Sequence, residues 1–372
     1  MRRSLVRPAL ALVAFVAALA SGGASPAARA CCPAPPRGFE VRIADQEILV
    51  VWDPATKTEH FVRRAVFSGG GEAPAAGFGF LVPTPTRPEV AASNGGAFGL
   101  LREETRPWVV QKTRWRVSVM PLLAYPFLLT MMGSRASPTP TASIDRGVDV
   151  LEQTHVAGYD VAVLAASDPK ALTDWLGANG YDARPALQEW ARPYIEKRWI
   201  ITAFKYAARM GEVGTDAVRM SFSTETPLFP YRVPTDNIAP PGQGNLLRAF
   251  VVAPGRATGT LGEGPGRPWT QGQVKRARPL PAAELARLVG QAIPPEAVKS
   301  LGDGAWLTAF EDPTWPSGTD DLTFTLDPKG EEHQEVIYHY DDATVPLPLD
   351  LILGLGFLGL YLRRRVKGAP KA

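Results

Sequence analysis

Four histidines, His60, His155, His333 and His339, carry most of the metal-binding potential of this chain. None lies in a His-Glu-x-x-His or His-x-His pattern. The densest group of neighbours is Glu331-Glu332-His333-Gln334-Glu335, followed by His339-Tyr340-Asp341-Asp342. Imidazole beside carboxylate is a donor set that a transition-metal ion accepts. On a single strand, His333, Glu335, His339 and Asp341 would share one face. The two histidines would then stand about 20 Å apart, too far for one ion. His333 and Glu335, at about 7 Å, could share an ion with a third group from elsewhere. A polar strand edge facing water explains the same residues without any ion. His333 and Glu335 are therefore the candidate metal pair, while no metal and no cofactor is expected.

Nucleophilic chemistry has less to work with. There is no Gly-x-Ser-x-Gly elbow. Ser167-Asp168-Pro169-Lys170 has Ser-x-x-Lys spacing, but Ser or Asp before Pro is also how a helix is capped. The glycine loops at Gly69–Gly71 and Gly262–Gly266 lack the Lys-Ser/Thr of a phosphate cradle. The two cysteines, Cys31 and Cys32, are adjacent. In an oxidising compartment they have three fates: a strained vicinal disulfide, a bridge to another chain, or lipidation of Cys31. No catalytic residue can be assigned. An aromatic group, Trp175, Trp190, Trp199, Tyr181 and Tyr194, either seats two helices on a sheet or lines a groove for a peptide or glycan.

The elements that must carry these residues are short. Thirty-six prolines and 35 glycines punctuate the chain, with no internal repeat and no heptads. Glu40–Val51 and His60–Phe67 flank a turn and predict a hairpin. Phe78–Val82 is a further strand. Arg114–Met132 is charge-free from Val117, is interrupted by Pro121 and Pro126, and is expected as a buried strand-loop-strand. The alternatives are a loop dipping into a bilayer or an apolar partner patch. Tyr159–Leu164, a helix capped by Asp168 and stopped at Asn179-Gly180, a second helix from Pro185 to Lys197 bent or broken at Pro193, and Trp199–Tyr206 form a β-α-α-β unit. Strands follow at Val218–Ser223, Leu246–Val252, Trp306–Glu311, Leu322–Leu326 and Glu335–Tyr340, with a helix at Ala282–Gln291. The expected fold is α+β, with mixed, mostly antiparallel sheets.

The termini point to a membrane. Arg2, Arg3 and Arg7 precede the apolar run Ala9–Ala20, and Ala28-Arg29-Ala30 offers small residues where a signal peptidase reads. Residues 1–30 are expected to be a secretion signal cut between Ala30 and Cys31; the alternative is a retained N-terminal anchor. At the other end, Leu347–Leu362 covers about 24 Å as a helix, against a hydrocarbon core of about 30 Å. Asp350 and Tyr361 suit its two edges, and Arg363-Arg364-Arg365 would hold the tail on the cytoplasmic side. The span is expected over 344–365, with a basic tail at 366–372. Val345-Pro346-Leu347-Pro348 with the Gly/Leu run also resembles exosortase-type sorting signals, with Leu347 where those carry Glu. Between the ends, a β-rich part is expected over 31–136, a Pro/Ser/Thr linker over 137–147 and an α+β part over 148–343.

The formal charge of +3 comes from 40 basic and 37 acidic residues. The leader holds four of the arginines; the segment from Asp350 holds five basic residues and one acid. Removing both leaves 31 basic and 36 acidic residues, a body of about −5, which argues against nucleic acid and against anionic lipid as ligands of its surface.

The order of features resembles the bacterial domain-of-unknown-function family numbered 2330. The resemblance is carried by a cysteine just after the signal, by Ile43-Ala44-Asp45-Gln46 leading into a strand, and by Gly77–Pro85 with Pro88. It continues through Leu151-Glu152, Val156–Gly158-Tyr159-Asp160-Val161, Leu172, Trp175-Leu176, Asn179-Gly180-Tyr181, Tyr194 and Phe204. It implies an exported, often anchored protein with no established activity. The expected function is a non-catalytic binding or assembly module on the outer face of the cell membrane. It would contact lipid through its C-terminal helix and an envelope protein or glycan through its body. The rival is a hydrolase acting on envelope material, with a site assembled from distant residues.

Overall fold

The structure, a computed structural model, describes residues 33–34, 41–69, 79–120, 155–181, 183–206, 217–264 and 266–367. The expected signal and its cleavage point at Ala30 and Cys31, the residue Cys32, and the linker 137–147 lie outside the described residues. The chain divides into two compact units: Met1–Arg106 with Gln153–Gln334, and Pro107–Glu152 with Glu335–Ala372.

The first unit is built around an eight-stranded sheet. Its order is His333–Gln334, Gln273–Pro279, Trp306–Trp315, Asn245–Ala253, Val41–Asp53, Thr58–Gly69, Ala217–Ser223 and Glu89–Ser93. Val41–Asp53 and Thr58–Gly69 form the expected hairpin. Val41–Asp53 runs parallel to Asn245–Ala253, and the other pairings are antiparallel. The apolar run Ile48-Leu49-Val50-Val51 is explained by this central position, since both faces of the sheet are covered. Ile48 and Val50 enter one core, Leu49 and Val51 the other.

Three helices cover one face: Gly96–Glu104, Ala282–Val289 and Pro295–Leu301 supply Phe98, Leu101, Leu285, Leu288 and Ala297. The first and third were not foreseen. A four-stranded sheet (Leu228–Phe229, Leu322–Asp327, Arg256–Leu261, Arg267–Pro268) and a five-stranded sheet share the opposite core. In the five-stranded sheet alternation is strict: Phe80, Val82 and Phe204 face that core, while Leu81, Ile201 and Ala203 face the helix pair beyond.

That helix pair belongs to the β-α-α-β unit. Tyr159–Leu164 and Ile200–Tyr206 are antiparallel neighbours. The helix Pro169–Ala178 begins where Asp168 Oδ1 accepts from Ala171 N at 2.8 Å. It ends at Gly180, whose φ of +82° favours glycine. The helix Pro185–Glu196 continues through Pro193 rather than breaking there.

The second unit contains a two-stranded parallel ribbon. Trp108–Met120 pairs with Val336–Pro348 in unbroken register, from Val336↔Trp108 to Pro348↔Met120. Residues 114–116 of the expected buried segment Arg114–Met132 are exposed strand, which corrects the expectation at those positions. The strand starts at Trp108, and Trp115 is 70% exposed on a sheet that has two strands among the described residues. The remainder, 121–132, lies outside the described residues.

The C-terminal span is also corrected. Residues 344–348 are strand, and the helix begins only at Leu349 and runs to Lys367. Its uncharged and edge residues therefore extend from Leu349 to Leu362, about 21 Å. Among the described residues no helix is long and apolar enough to cross a membrane.

Candidate functional site

The candidate metal pair spans a change of strand partner. His333 lies in the edge strand His333–Gln334, opposite Ala277, and belongs to the first unit. The chain changes partner at Glu335, whose carbonyl accepts from Trp108 N at 2.8 Å as the ribbon starts. Glu335 belongs to the second unit. The four residues expected on one face are thus not on one strand. His339 and Asp341 stand on the ribbon opposite Gln111 and Thr113. Among the described residues no group of three or more His, Cys, Asp or Glu could hold a metal ion.

His60 is buried in the central sheet, with Nδ1 2.8 Å from Ser221 Oγ. Burial, with Arg219 nearby, holds its pKa below the ordinary histidine value. This is a core histidine tied to a neighbouring strand. His155 pairs through its backbone with Asp160.

The aromatic group divides. Trp190, Tyr194 and Tyr181 are buried and seat the helix pair on the five-stranded sheet. Trp190 Nε1 donates to Arg232 O at 3.0 Å. Trp175 stacks on Tyr181 with centroids 6.1 Å apart. Trp199 is half-buried, lies 5.4 Å from the Tyr194 ring, and faces a cleft.

That cleft, of about 870 Å³, is the candidate site, and its size suits a small ligand or a short stretch of polymer. Six separated segments build it. Thr56-Lys57 come from the hairpin turn, and Pro85-Thr86 from the end of the strand Gly79–Thr84. Pro193, Lys197 and Trp199 come from the second helix and its exit. Ser223–Thr226, Leu228 and Arg232 come from a long connection. Gly262-Glu263 and Asp320–Asp321 with Thr323 close the far side.

Its walls are hydroxyl-rich and internally tied. Thr86 Oγ1 donates to Ser223 O at 3.0 Å and accepts from Ser223 N at 2.9 Å. Thr224 N donates to Lys57 O at 2.9 Å. Every acidic side chain lining the cleft is engaged. Glu225 accepts from Lys57 Nζ at 2.6 Å. Glu263 pairs with Lys197. Asp320 accepts from Arg267 Nη2 at 3.0 Å. Asp321 Oδ1 accepts from Tyr194 Oη at 2.8 Å and from Arg232 N at 3.2 Å. Desolvation raises the Asp321 pKa above the ordinary aspartate value, against the lowering effect of those two donors. Lys197 also stands 5.6 Å over the Trp199 ring. The cleft thus offers one aromatic platform, fixed hydroxyls, and two lysines, Lys57 and Lys197, each paired with a carboxylate.

Sequence reasoning found Trp199 and Tyr194 but missed Asp320, Asp321, Lys57 and Arg232. Lys57 lies in the hairpin turn in the left-handed region, with φ of 52°, a conformation that a lysine in the sequence does not signal. Asp320-Asp321 reads as a loop before a strand. No local signal joins residues that stand 127 positions apart, as Tyr194 and Asp321 do.

A family model described as an uncharacterized protein conserved in bacteria (DUF2330) matches residues 26–259. No curated protein matches the chain. The solved structure titled "Crystal structure of baculovirus P35" is similar at 9% identity, over 59% of this chain and 67% of that chain, with a TM-score of 0.34.

Proposed function

We propose that this chain, which belongs to the DUF2330 family by a match over more than half its length, is an exported, membrane-tethered binding module. Its cleft takes a peptide or glycan of the cell envelope and performs no chemistry on it. The observation that carries this reading is that all four cleft carboxylates are paired. A general base or nucleophile must be free to act. A binding wall gains where side chains are already held, as Asp321 is by Tyr194 Oη and Arg232 N, because less freedom is lost on association. Trp199 supplies contact area at little entropic cost.

Tethering is supported by the helix Leu349–Lys367. Ile352, Leu355, Phe357, Leu358, Leu360 and Leu362 are each about half exposed or more. A helix apolar on all sides needs burial or lipid. Arg363 and Arg364 suit lipid headgroups at its end.

The rival hydrolase would rest on Asp321, whose raised pKa suits a general acid. One set of measurements separates the two. The full chain is titrated with envelope peptides and glycan fragments, and products are followed by mass spectrometry. Binding that falls about tenfold in Trp199→Ala, with no product formed, supports the module. Turnover that disappears in Asp321→Asn would establish the hydrolase instead. Membrane fractionation with and without residues 349–372 tests the tether, which fails if both forms stay in the membrane pellet.

A further inference from the structure

The ribbon of the second unit has two edges whose backbone groups and charges match each other. Trp108–Met120 and Val336–Pro348 run parallel over 13 residues each, in unbroken register. Among the described residues the sheet has these two strands alone. A two-stranded pair is marginal by itself in water, and further strands normally secure it. Trp108, Val109, Trp115, Ile337, Tyr338 and Tyr340 are each about half exposed or more, a concentration of apolar surface that marks a contact site.

Trp108 N donates to Glu335 O at 2.8 Å, and this bond sets the parity of the ladder. In a parallel pair, alternate residues of each strand turn both backbone groups toward the partner. Trp108, Val110, Lys112 and Arg114 therefore face the second strand, while the backbone groups of Val109, Gln111, Thr113 and Trp115 point outward. On the second strand those of Val336, Tyr338, Tyr340 and Asp342 point outward. Pro346 and Pro348 fall in this outward set, where a missing N–H costs the ribbon nothing.

A second copy at the same level fits these edges. Setting Thr113 of one copy opposite Asp341 of the next repeats the register found within the chain. It brings the outward N–H of Thr113 to the outward carbonyl of Tyr340. Two like strands have outward groups of one parity and meet only after a one-residue slip. Charge makes the same choice. Trp108–Met120 carries Lys112, Arg114 and Arg116 and no acid; Val336–Pro348 carries Asp341 and Asp342 and neither Lys nor Arg. Unlike edges attract and like edges repel.

We propose that copies of this chain join their ribbons edge to edge, Trp108–Met120 of one against Val336–Pro348 of the next, in parallel and at one level. The proposal rests in part on the tether: copies held in one membrane by the helix Leu349–Lys367 point the same way, as a parallel pairing requires. Because the two edges differ, each added copy presents a fresh edge, so the assembly grows along the membrane as a row or closes as a ring.

The test uses the full chain in vesicles, in a Cys31→Ser, Cys32→Ser background. Chains carrying Thr113→Cys are mixed with chains carrying Asp341→Cys, so that any disulfide between them joins two copies. We expect a cross-linked dimer at about ten times the yield given by Thr113→Cys mixed with Ile337→Cys, which stands four residues, about 13 Å, off level. Gln111→Pro removes an outward N–H and no ribbon bond, and should cut the yield severalfold. Equal yields for Asp341→Cys and Ile337→Cys overturn the proposal. So do dimers formed as readily by Thr113→Cys alone, or a yield unmoved by Gln111→Pro. Flotation of the same samples reads the tether separately. If the chain does not float with the vesicles, the tether reading fails, and the same cross-links in solution decide the edge pairing.

Discussion

Tyr194 Oη donates a 2.8 Å hydrogen bond to Asp321 Oδ1, joining the helix Pro185–Glu196 to the approach to the strand Leu322–Asp327. The same oxygen accepts from Arg232 N. One carboxylate thereby holds together three of the segments that wall the cleft. Tyr194→Phe removes one donor and leaves a desolvated oxygen under-satisfied. We expect a loss of about 1–2 kcal/mol in urea unfolding, together with weaker ligand binding in the cleft. Unchanged stability and binding would show that the bond carries neither.

Two buried groups shape the dependence of stability on pH. The folded pKa of Glu59 is raised above the unfolded value, so its contribution is present below that value and is lost as pH rises through the folded pKa. His60 is lowered, so its contribution is present above the unfolded value of 6.5 and is lost as pH falls through the folded pKa. Glu59→Gln keeps an oxygen for Leu228 N, which Glu59 Oε2 now accepts at 2.9 Å, and cannot ionise. The Tm of Glu59→Gln relative to wild type should therefore climb between pH 5 and pH 8. A difference that stays flat across that range would sink the assignment.

Arg278 ties two of the covering helices. It pairs with Glu104 at 2.6 Å and with Glu284, and its side chain is largely buried. Arg278→Met leaves Glu104 with only the more exposed Arg287 at 3.3 Å. We expect a loss of about 2 kcal/mol, less than for a fully buried pair because Glu104 and Glu284 keep some water. Chemical denaturation checks the value, and high salt should recover little of it.

Gly79 is required by close backbone approach. A Cβ there would lie 2.2 Å from the carbonyl oxygen of Phe204 and 2.5 Å from the Tyr181 ring. Because the carbonyl belongs to a paired strand, it cannot move away cheaply. Gly79→Ala should cost about 2–3 kcal/mol, whereas Gly304→Ala, with nothing within 4 Å, should be tolerated. Equal Tm values for the two variants would contradict the packing described.

Sequence by itself determined what depends on near neighbours. Asp168-Pro169 starts a helix and Asn179-Gly180 stops one, because capping and positive φ act within a single turn. Glu40–Val51 and His60–Phe67 announce a hairpin, and the β-α-α-β unit follows from such local punctuation. The family resemblance rests on the same residues. Only the tertiary structure decided which strands meet. The run from His333 to Asp341 looks like one polar strand, yet the chain changes partner at Glu335, and pairing energy lies between strands rather than within them. The strand Arg256–Leu261 and the helix Gly96–Glu104 are stabilised by partners distant in the chain, so their own residues advertise them poorly. The cleft is the extreme case: six segments contribute, each ordinary alone, and its paired carboxylates exist only once the sheets and helices have closed around them.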